Sequence, residues 1–307
     1  MPASPPQSKK CWKWYHPVLL LLIVIALVVI QQTWLKTNEV TPAQATAVER
    51  TKAPVEGQQA TPPPPVTTPK TKTFETRGVR WVWCGVMVLL TAFVVVAGHG
   101  ITGFWRGAFI DSKNKISLSR FQMILWTILI VSAYLTAVML NINRSQPDPT
   151  DIALDATLWM LMGISTTSLV GSPLIESGKK KAANAPEGSP PAEERTFELL
   201  SQQGVDKEKV EVEGQLIVNK RPEDASWGDL FRGEDVGNAG HLDLGKIQMF
   251  YFTLITALAY GMAVAEMFRT TPVGIEAFPS LSSGIVALLG ISHTGYLANK
   301  AVTRNPS

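Results

Sequence analysis

Few residues inside the apolar stretches of this sequence could carry chemistry. Ser165, Ser292 and His293 have side chains of the types used in nucleophilic catalysis, but no carboxylate lies near them along the chain. The two serines belong to Gly-Ile-Ser segments, which do not match a nucleophile elbow because that elbow requires a strand-to-helix turn. A lone histidine in an apolar stretch more often makes a packing hydrogen bond than binds a ligand. We therefore predict that the protein is not an enzyme.

The sequence indicates neither a metal site nor a cofactor site. Cys11 and Cys84 are the only cysteines, and no cysteine or histidine spacing matches a zinc site. The glycines of 233–240 lack the preceding strand and the spacing of a dinucleotide-binding loop. The net charge of +3 over 307 residues gives no indication of nucleic-acid binding.

Long apolar stretches separate these residues from the polar parts of the chain. A stretch of about 18 or more such residues can cross a hydrocarbon core of roughly 30 Å, and within it a helix satisfies its own backbone hydrogen bonds. We predict an all-α integral membrane protein with about six transmembrane helices and a small soluble α+β segment. The middles of these stretches lack Asp, Glu, Lys and Arg, which argues against ion-coupled transport. The predicted spans are 17–35, 81–99, 121–140, 154–174, 247–266 and 281–299.

The placement of lysine and arginine predicts the orientation and the domain limits. Basic clusters near the span ends fall on one side, so both termini are expected in the cytoplasm. The first span follows a basic segment but lacks a close cleavage pattern, which favours an uncleaved anchor. Between Val210 and Val218 an alternating pattern broken by Gly214 predicts a hairpin. The predicted regions are 1–36 (cytoplasmic amino terminus and anchor helix), 37–79 (disordered Pro/Thr-rich outer linker), 80–175 (spans two to four), 176–241 (cytoplasmic segment, its first part disordered) and 242–307 (spans five and six and a short tail).

The chain aligns with itself at an offset of 126 residues. At this offset Leu118 falls on Leu244, Arg120 on Lys246 and Gln122 on Gln248, and one inserted residue later Gly163 and Ser165 fall on Gly290 and Ser292. The last four helices would then form two helical hairpins of the same orientation, related by a pseudo-twofold axis along the membrane normal.

The aligned residues allow specific roles to be assigned. Ser117 and Asp243 stand where a helix N-cap is needed. We expect Arg120 and Lys246, one turn later, to attract anionic lipid headgroups, at about 1 kcal/mol each.

The small and polar residues of the repeat allow two interpretations. One is helix packing along small residues. The other is a polar seam at the pseudo-axis that passes or binds something small. The residues concerned are Gln122, Gln248, Ser165, Ser292, Gly163 and Gly290.

One resemblance rests on the repeated pattern. Ser-Leu-Ser-Arg-Phe-Gln-Met-Ile-Leu-Trp-Thr (117–127), followed by Leu-Met-Gly-Ile-Ser (161–165), resembles a group of uncharacterised bacterial inner-membrane proteins with duplicated helical hairpins. The resemblance covers the last four spans, about half of the chain. It implies a bacterial inner-membrane location and no particular activity.

Two functions remain open at this point. The absence of charge within the spans, the cytoplasmic segment with exposed apolar residues and the long outer linker favour a scaffold that is embedded in the lipid bilayer and binds a protein partner. The duplication and its shared polar residues favour a small oligomeric channel. Neither requires a cofactor, and either is compatible with a homo-oligomer.

Overall fold

The computed structural model describes residues 13, 15–34, 78–181, 198, 200–271 and 274–302. Nearly all of the predicted linker of 37–79 lies outside these residues, as do residues 182–194 of the segment 178–194 that is predicted to be disordered; residues 178–181 of that segment are helical instead. Cys11 lies outside them too.

Helices dominate the described part of the chain, and four of them are long and apolar enough to cross a membrane. This confirms a mostly helical protein of the membrane type. The four are α2 to α5. The helix α1 counts as a shorter apolar helix over Tyr15–Ile30, and α6 is not among the four, so six spans are not confirmed. The helices are α1 (Tyr15–Trp34), α2 (Val79–Thr102), α3 (Leu118–Asn143), α4 (Ala156–Lys181), α5 (Leu244–Thr270) and α6 (Ser283–Ala301).

The last four helices form a closed ring of contacts. The helix α3 packs against α4 and α5, and α6 packs against the same two, while α2 lies outside the ring against α3 and α5. The core contains Trp83, Trp126 and Tyr260, all under 5% exposed. The Trp83 Nε1 atom donates to the Ser132 hydroxyl at 2.9 Å, so this indole is both buried and hydrogen-bonded.

The helix α1 packs mainly against α2. His16 is buried at this contact, and its Nε2 atom lies 2.9 Å from Nδ1 of His99. The ring centroid of His99 in turn lies 4.6 Å from the ring centroid of Trp105. Most other described side chains of α1 are exposed.

Residues 200–243 form a folded unit at one end of the helices, which we call the hairpin module. Its strands β1 (Val210–Glu213) and β2 (Leu216–Asn219) pair antiparallel, which confirms the predicted hairpin. Gly214 in the turn has a φ of 67°, in the left-handed region that favours glycine. The module has a small core of its own, formed by Leu200, Val210, Ile217, Val236 and Ala239.

Two features of the helices differ from the sequence prediction. The helix α4 continues to Lys181, past the predicted end of its span at 174, and it contains Pro173. At the end away from the module, the buried Asn141 side chain exchanges two hydrogen bonds of 2.8 Å with the backbone of Ile275. This amide fixes the loop before α6 to the end of α3.

Candidate functional site

A cluster of buried ions lies between the hairpin module and the helices. Its centre is Glu234, whose Oε2 atom is 2.5 Å from Lys113 Nζ and 2.8 Å from Lys300 Nζ. The Oε1 atom of Glu234 is 2.7 Å from Lys246 Nζ. Glu176 completes the cluster, at 2.7 Å from Lys113 and 2.5 Å from Lys300. We call these five residues the ion cluster.

The members of the ion cluster come from five separate parts of the chain. Lys113 lies in the turn between α2 and α3, Glu176 in α4, Glu234 in the hairpin module, Lys246 in the first turn of α5 and Lys300 at the end of α6. The side chains of the three lysines are between 1% and 8% exposed. The cluster therefore connects the module to three helices and to a loop in the same place.

Local backbone structure positions Lys113. The Asp111 carboxylate accepts hydrogen bonds from the backbone N–H groups of Lys113 and Lys115, and Asn114 has a φ of 55° at the tip of the turn. The turn is fastened to β2 by Asn219, whose backbone N–H donates to the Lys113 carbonyl at 2.9 Å. Asn114 and Asn219 also exchange side-chain to carbonyl hydrogen bonds of 2.8 Å.

The cluster keeps its groups charged although they are buried. Burial alone would raise the pKa of Glu234, but the ammonium groups of Lys113, Lys246 and Lys300 outweigh it and hold the pKa well below its ordinary value. For Lys113, burial would lower the pKa, and the nearby carboxylates, Glu234 first, raise it above its ordinary value. Neighbouring Lys115 differs, because burial dominates there and lowers its pKa to about 8.

A second buried pair holds the end of α4 against the module. The Lys179 ammonium group lies 2.7 and 2.9 Å from the two carboxylate oxygens of Asp235. The turn of the hairpin packs beside it, since a Cβ atom added to Gly214 would lie 2.8 Å from the Lys179 carbonyl oxygen and 2.9 Å from Lys180 Cα.

The structure corrects the expected role of Lys246. This residue is 4% exposed, and its ammonium group donates to Glu234 and, at 2.8 Å, to the Arg232 carbonyl. It is therefore held by protein and not available to lipid headgroups. Arg120 is only half-buried, and no ion pair is found for it among the described residues.

The two glutamines of the expected polar seam lie in different environments. Gln122 is fully buried, and its amide donates to the Thr253 hydroxyl at 2.7 Å. Gln248 is exposed and lines a groove between α5 and α6 that also contains Ser292. The hydroxyl of Ser292 is buried without a hydrogen-bond partner in the described part of the chain. The described residues thus do not bring Gln122 and Gln248 into one seam.

The glycines of the repeat line a separate groove between α4 and α6. Gly163 and Gly290 both border this groove of about 610 Å³. A Cβ atom on Gly290 would lie 3.7 Å from Ile164, which is ordinary packing contact, whereas one on Gly163 would meet nothing within 4 Å. Ser165 is buried, at 2% exposure. Gly290 therefore serves the contact of the two helices, and Gly163 leaves its side of the groove open.

His293 pairs with a serine that the sequence did not single out. Its Nδ1 atom lies 2.6 Å from the Ser168 hydroxyl, and both residues are buried between α4 and α6. Among the described residues no carboxylate bonds this histidine. The pair crosses the contact between the two helices.

The ion cluster was missed from the sequence for a structural reason. Lys113 and Glu234 are 121 residues apart, and each lies in a polar segment where a charged residue is ordinarily solvated. One available signal was Glu176, because α4 carries it only two residues past the predicted end of an apolar span.

Comparisons with protein-family models, with curated proteins and with solved structures find no match to this chain.

Proposed function

We propose that the protein is a membrane scaffold that holds the hairpin module in a fixed position at the membrane surface for a protein partner. The ion cluster is the observation that carries this proposal. A buried salt bridge contributes little net stability compared with an apolar contact, and such groups are best known for specifying one arrangement. Five charged side chains from five segments therefore favour a module that is oriented as well as attached.

The module offers a charged surface away from the helices. Residues 206–209, Asp-Lys-Glu-Lys, are all exposed, and Glu211 on β1 is exposed next to them. Both signs of charge are present, which suits a partner whose own charges alternate, because complementary charge favours specific pairing.

We further propose six transmembrane helices, the last four a duplicated pair of hairpins, in a bacterial inner membrane with both termini cytoplasmic. The basic clusters at the span ends support this orientation, in which the module lies on the cytoplasmic side. The extended set of spans adds α1 and α6 to the four apolar helices.

The test is extraction from the native membrane into lipid-retaining polymer discs, followed by mass measurement and identification of every chain. We expect a second protein in fixed ratio to the wild-type chain. Reversal of the exposed charges at Lys207, Glu208, Lys209 and Glu211 should remove that protein from the disc.

A matched control reverses a charge pair at the other end of the helices. Glu266 and Arg269 form an exposed ion pair there, and exchanging them should leave the second protein in place. Discs that contain only this chain would contradict the scaffold. A closed ring of copies that conducts ions would favour the channel instead.

A further inference from the structure

A cleft of about 400 Å³ lies between the N-terminus of α3 and the final turns of α4, at the module end of the helices. Its polar part contains Ser117, Ser119 and Arg120. Its apolar part contains Met123, Ile124 and Leu169. A cleft at a span end with these two parts has the character of a phospholipid, whose phosphate is joined to apolar chains.

Within the described part of the chain, no side chain caps the N-terminus of α3. The first N–H groups of a helix have no partner within the helix. Ser117 occupies the N-cap position in an extended conformation, yet its side chain makes no capping bond. The partial positive charge at the N-terminus of this 26-residue helix therefore remains available to an anion.

Ser119 gives an independent indication of a ligand. It is 2% exposed and lines the cleft, and its hydroxyl oxygen is buried with no hydrogen-bond partner in the described chain. An unsatisfied buried polar group costs about 1–3 kcal/mol, so a partner is expected for it. A phosphate oxygen in the cleft would accept its hydrogen bond.

The charges around the cleft leave one cation without a described partner. Glu176 and Asp111 also line it, but Glu176 is bonded to Lys113 and Lys300 within the ion cluster. One oxygen of Asp111 accepts from two backbone N–H groups of its own turn, and the other lies 3.5 Å from the Lys113 ammonium group. Arg120 lies beside Ser119 with no described ion pair, and a guanidinium group matches a phosphate in geometry and charge.

The wall formed by α4 adds a further feature. Pro173 lines the cleft, and because proline has no N–H it cannot complete the helical bond to the Leu169 carbonyl. The apolar lining residues Met123, Ile124 and Leu169 offer contacts for the part of an acyl chain next to the phosphate.

We propose that this cleft binds the phosphate group of an anionic phospholipid, with Arg120, Ser119 and the N-terminus of α3 as its donors. The acyl chain lies along the apolar part of the cleft. This site is separate from the surface of the hairpin module, and it does not depend on the scaffold function.

The test uses the full chain, delipidated in a mild detergent, with native mass spectrometry and thermal unfolding as readouts. Phosphatidylglycerol, phosphatidylcholine and inorganic phosphate are titrated separately. We expect phosphatidylglycerol to bind and to raise the Tm. Arg120→Gln should weaken its binding at least tenfold, and Ser119→Ala about threefold, without changing binding of phosphatidylcholine.

Arg80→Gln is the matched control, because Arg80 is an exposed arginine in the first turn of α2. It should bind phosphatidylglycerol as the wild type does. Equal binding by the wild type and both cleft variants would overturn the proposal. If millimolar inorganic phosphate displaced phosphatidylglycerol and raised the Tm by the same amount, the cleft would be a site for free phosphate, and the lipid proposal would be overturned. If Arg120→Gln does not fold, the Ser119→Ala result decides.

Discussion

The N-termini of α3 and α5 align in sequence but have different partners in the structure. At α5 the Asp243 carboxylate accepts hydrogen bonds from the N–H groups of Gly245 and Lys246. At α3 the equivalent Ser117 makes no capping bond. The basic residue of α5 is buried against Glu234, whereas Arg120 of α3 has no described carboxylate partner.

This difference shows how one position can acquire two roles. The hairpin module precedes α5 directly, and its Glu234 lies only 12 residues before Lys246. The module can therefore supply a carboxylate to the first turn of α5. The segment before α3 instead contributes Lys113 to the same carboxylate. The N-terminus of α5 is thus capped and ion-paired by protein side chains, whereas the N-terminus of α3 binds the phosphate of a lipid in our proposal.

The largest expected effect comes from removing the carboxylate of Glu234, the centre of the ion cluster at the N-terminus of α5. Glu234→Gln leaves three buried lysines without their shared carboxylate, and breaking a buried ion pair in this way costs about 3–5 kcal/mol. We expect a large fall in Tm in lipid discs. The control Glu211→Gln, on an exposed residue, should unfold like the wild type; a similar Tm for both variants would contradict the structural role of the ion cluster.

The same carboxylate predicts a dependence on acidity. Its pKa in the folded protein is held below the ordinary value of 4.5 by Lys113, Lys246 and Lys300, against the effect of burial. The stability it contributes is complete above the unfolded pKa and is lost as the pH falls below about 4.5. Measured from pH 7 to pH 3, the Tm of Glu234→Gln should approach that of the wild type. If the two curves of Tm against pH ran parallel, protonation of Glu234 would not be the cause of the loss of stability.

A smaller effect is expected where the hairpin turn meets α4. Gly214→Ala combines left-handed strain with a contact against the Lys179 carbonyl, and we expect a cost of about 2–4 kcal/mol. Gly204 has a φ of 71° with open space around it, so Gly204→Ala should cost only about 1 kcal/mol. Equal losses of stability would show that the turn does not pack against α4.

The smallest effects compare the two helix caps directly. Asp243→Ala removes a capping side chain and should cost about 0.5–2 kcal/mol. Ser117→Ala removes a side chain that caps nothing and should change the free energy of unfolding by less than about 0.5 kcal/mol. Thermal unfolding of both variants, without added lipid, measures the difference. A larger loss of stability for Ser117→Ala than for Asp243→Ala would contradict the conclusion that Asp243 caps α5 and Ser117 does not cap α3.

The local features of this protein were predictable from sequence, and the contacts between distant segments were not. The apolar stretch predicted at 121–140 lies within α3, and the alternation around Gly214 forms the hairpin, because both patterns reflect neighbouring residues. The sequence predicts a lipid contact for Lys246 because nothing near it along the helix indicates that Glu234 folds back onto it. The contact of Gln122 with Thr253 spans 131 residues and was hidden in the same way.

Hydrogen–deuterium exchange of the hairpin module tests most directly whether the ion cluster holds it in place. The amides of 210–219 should be protected in the wild type and in Glu211→Gln. In Glu234→Gln they should exchange much faster, while the middles of α3 and α5 keep their protection. Unchanged protection of 210–219 in Glu234→Gln would show that the module is held by other contacts, and it would contradict the account.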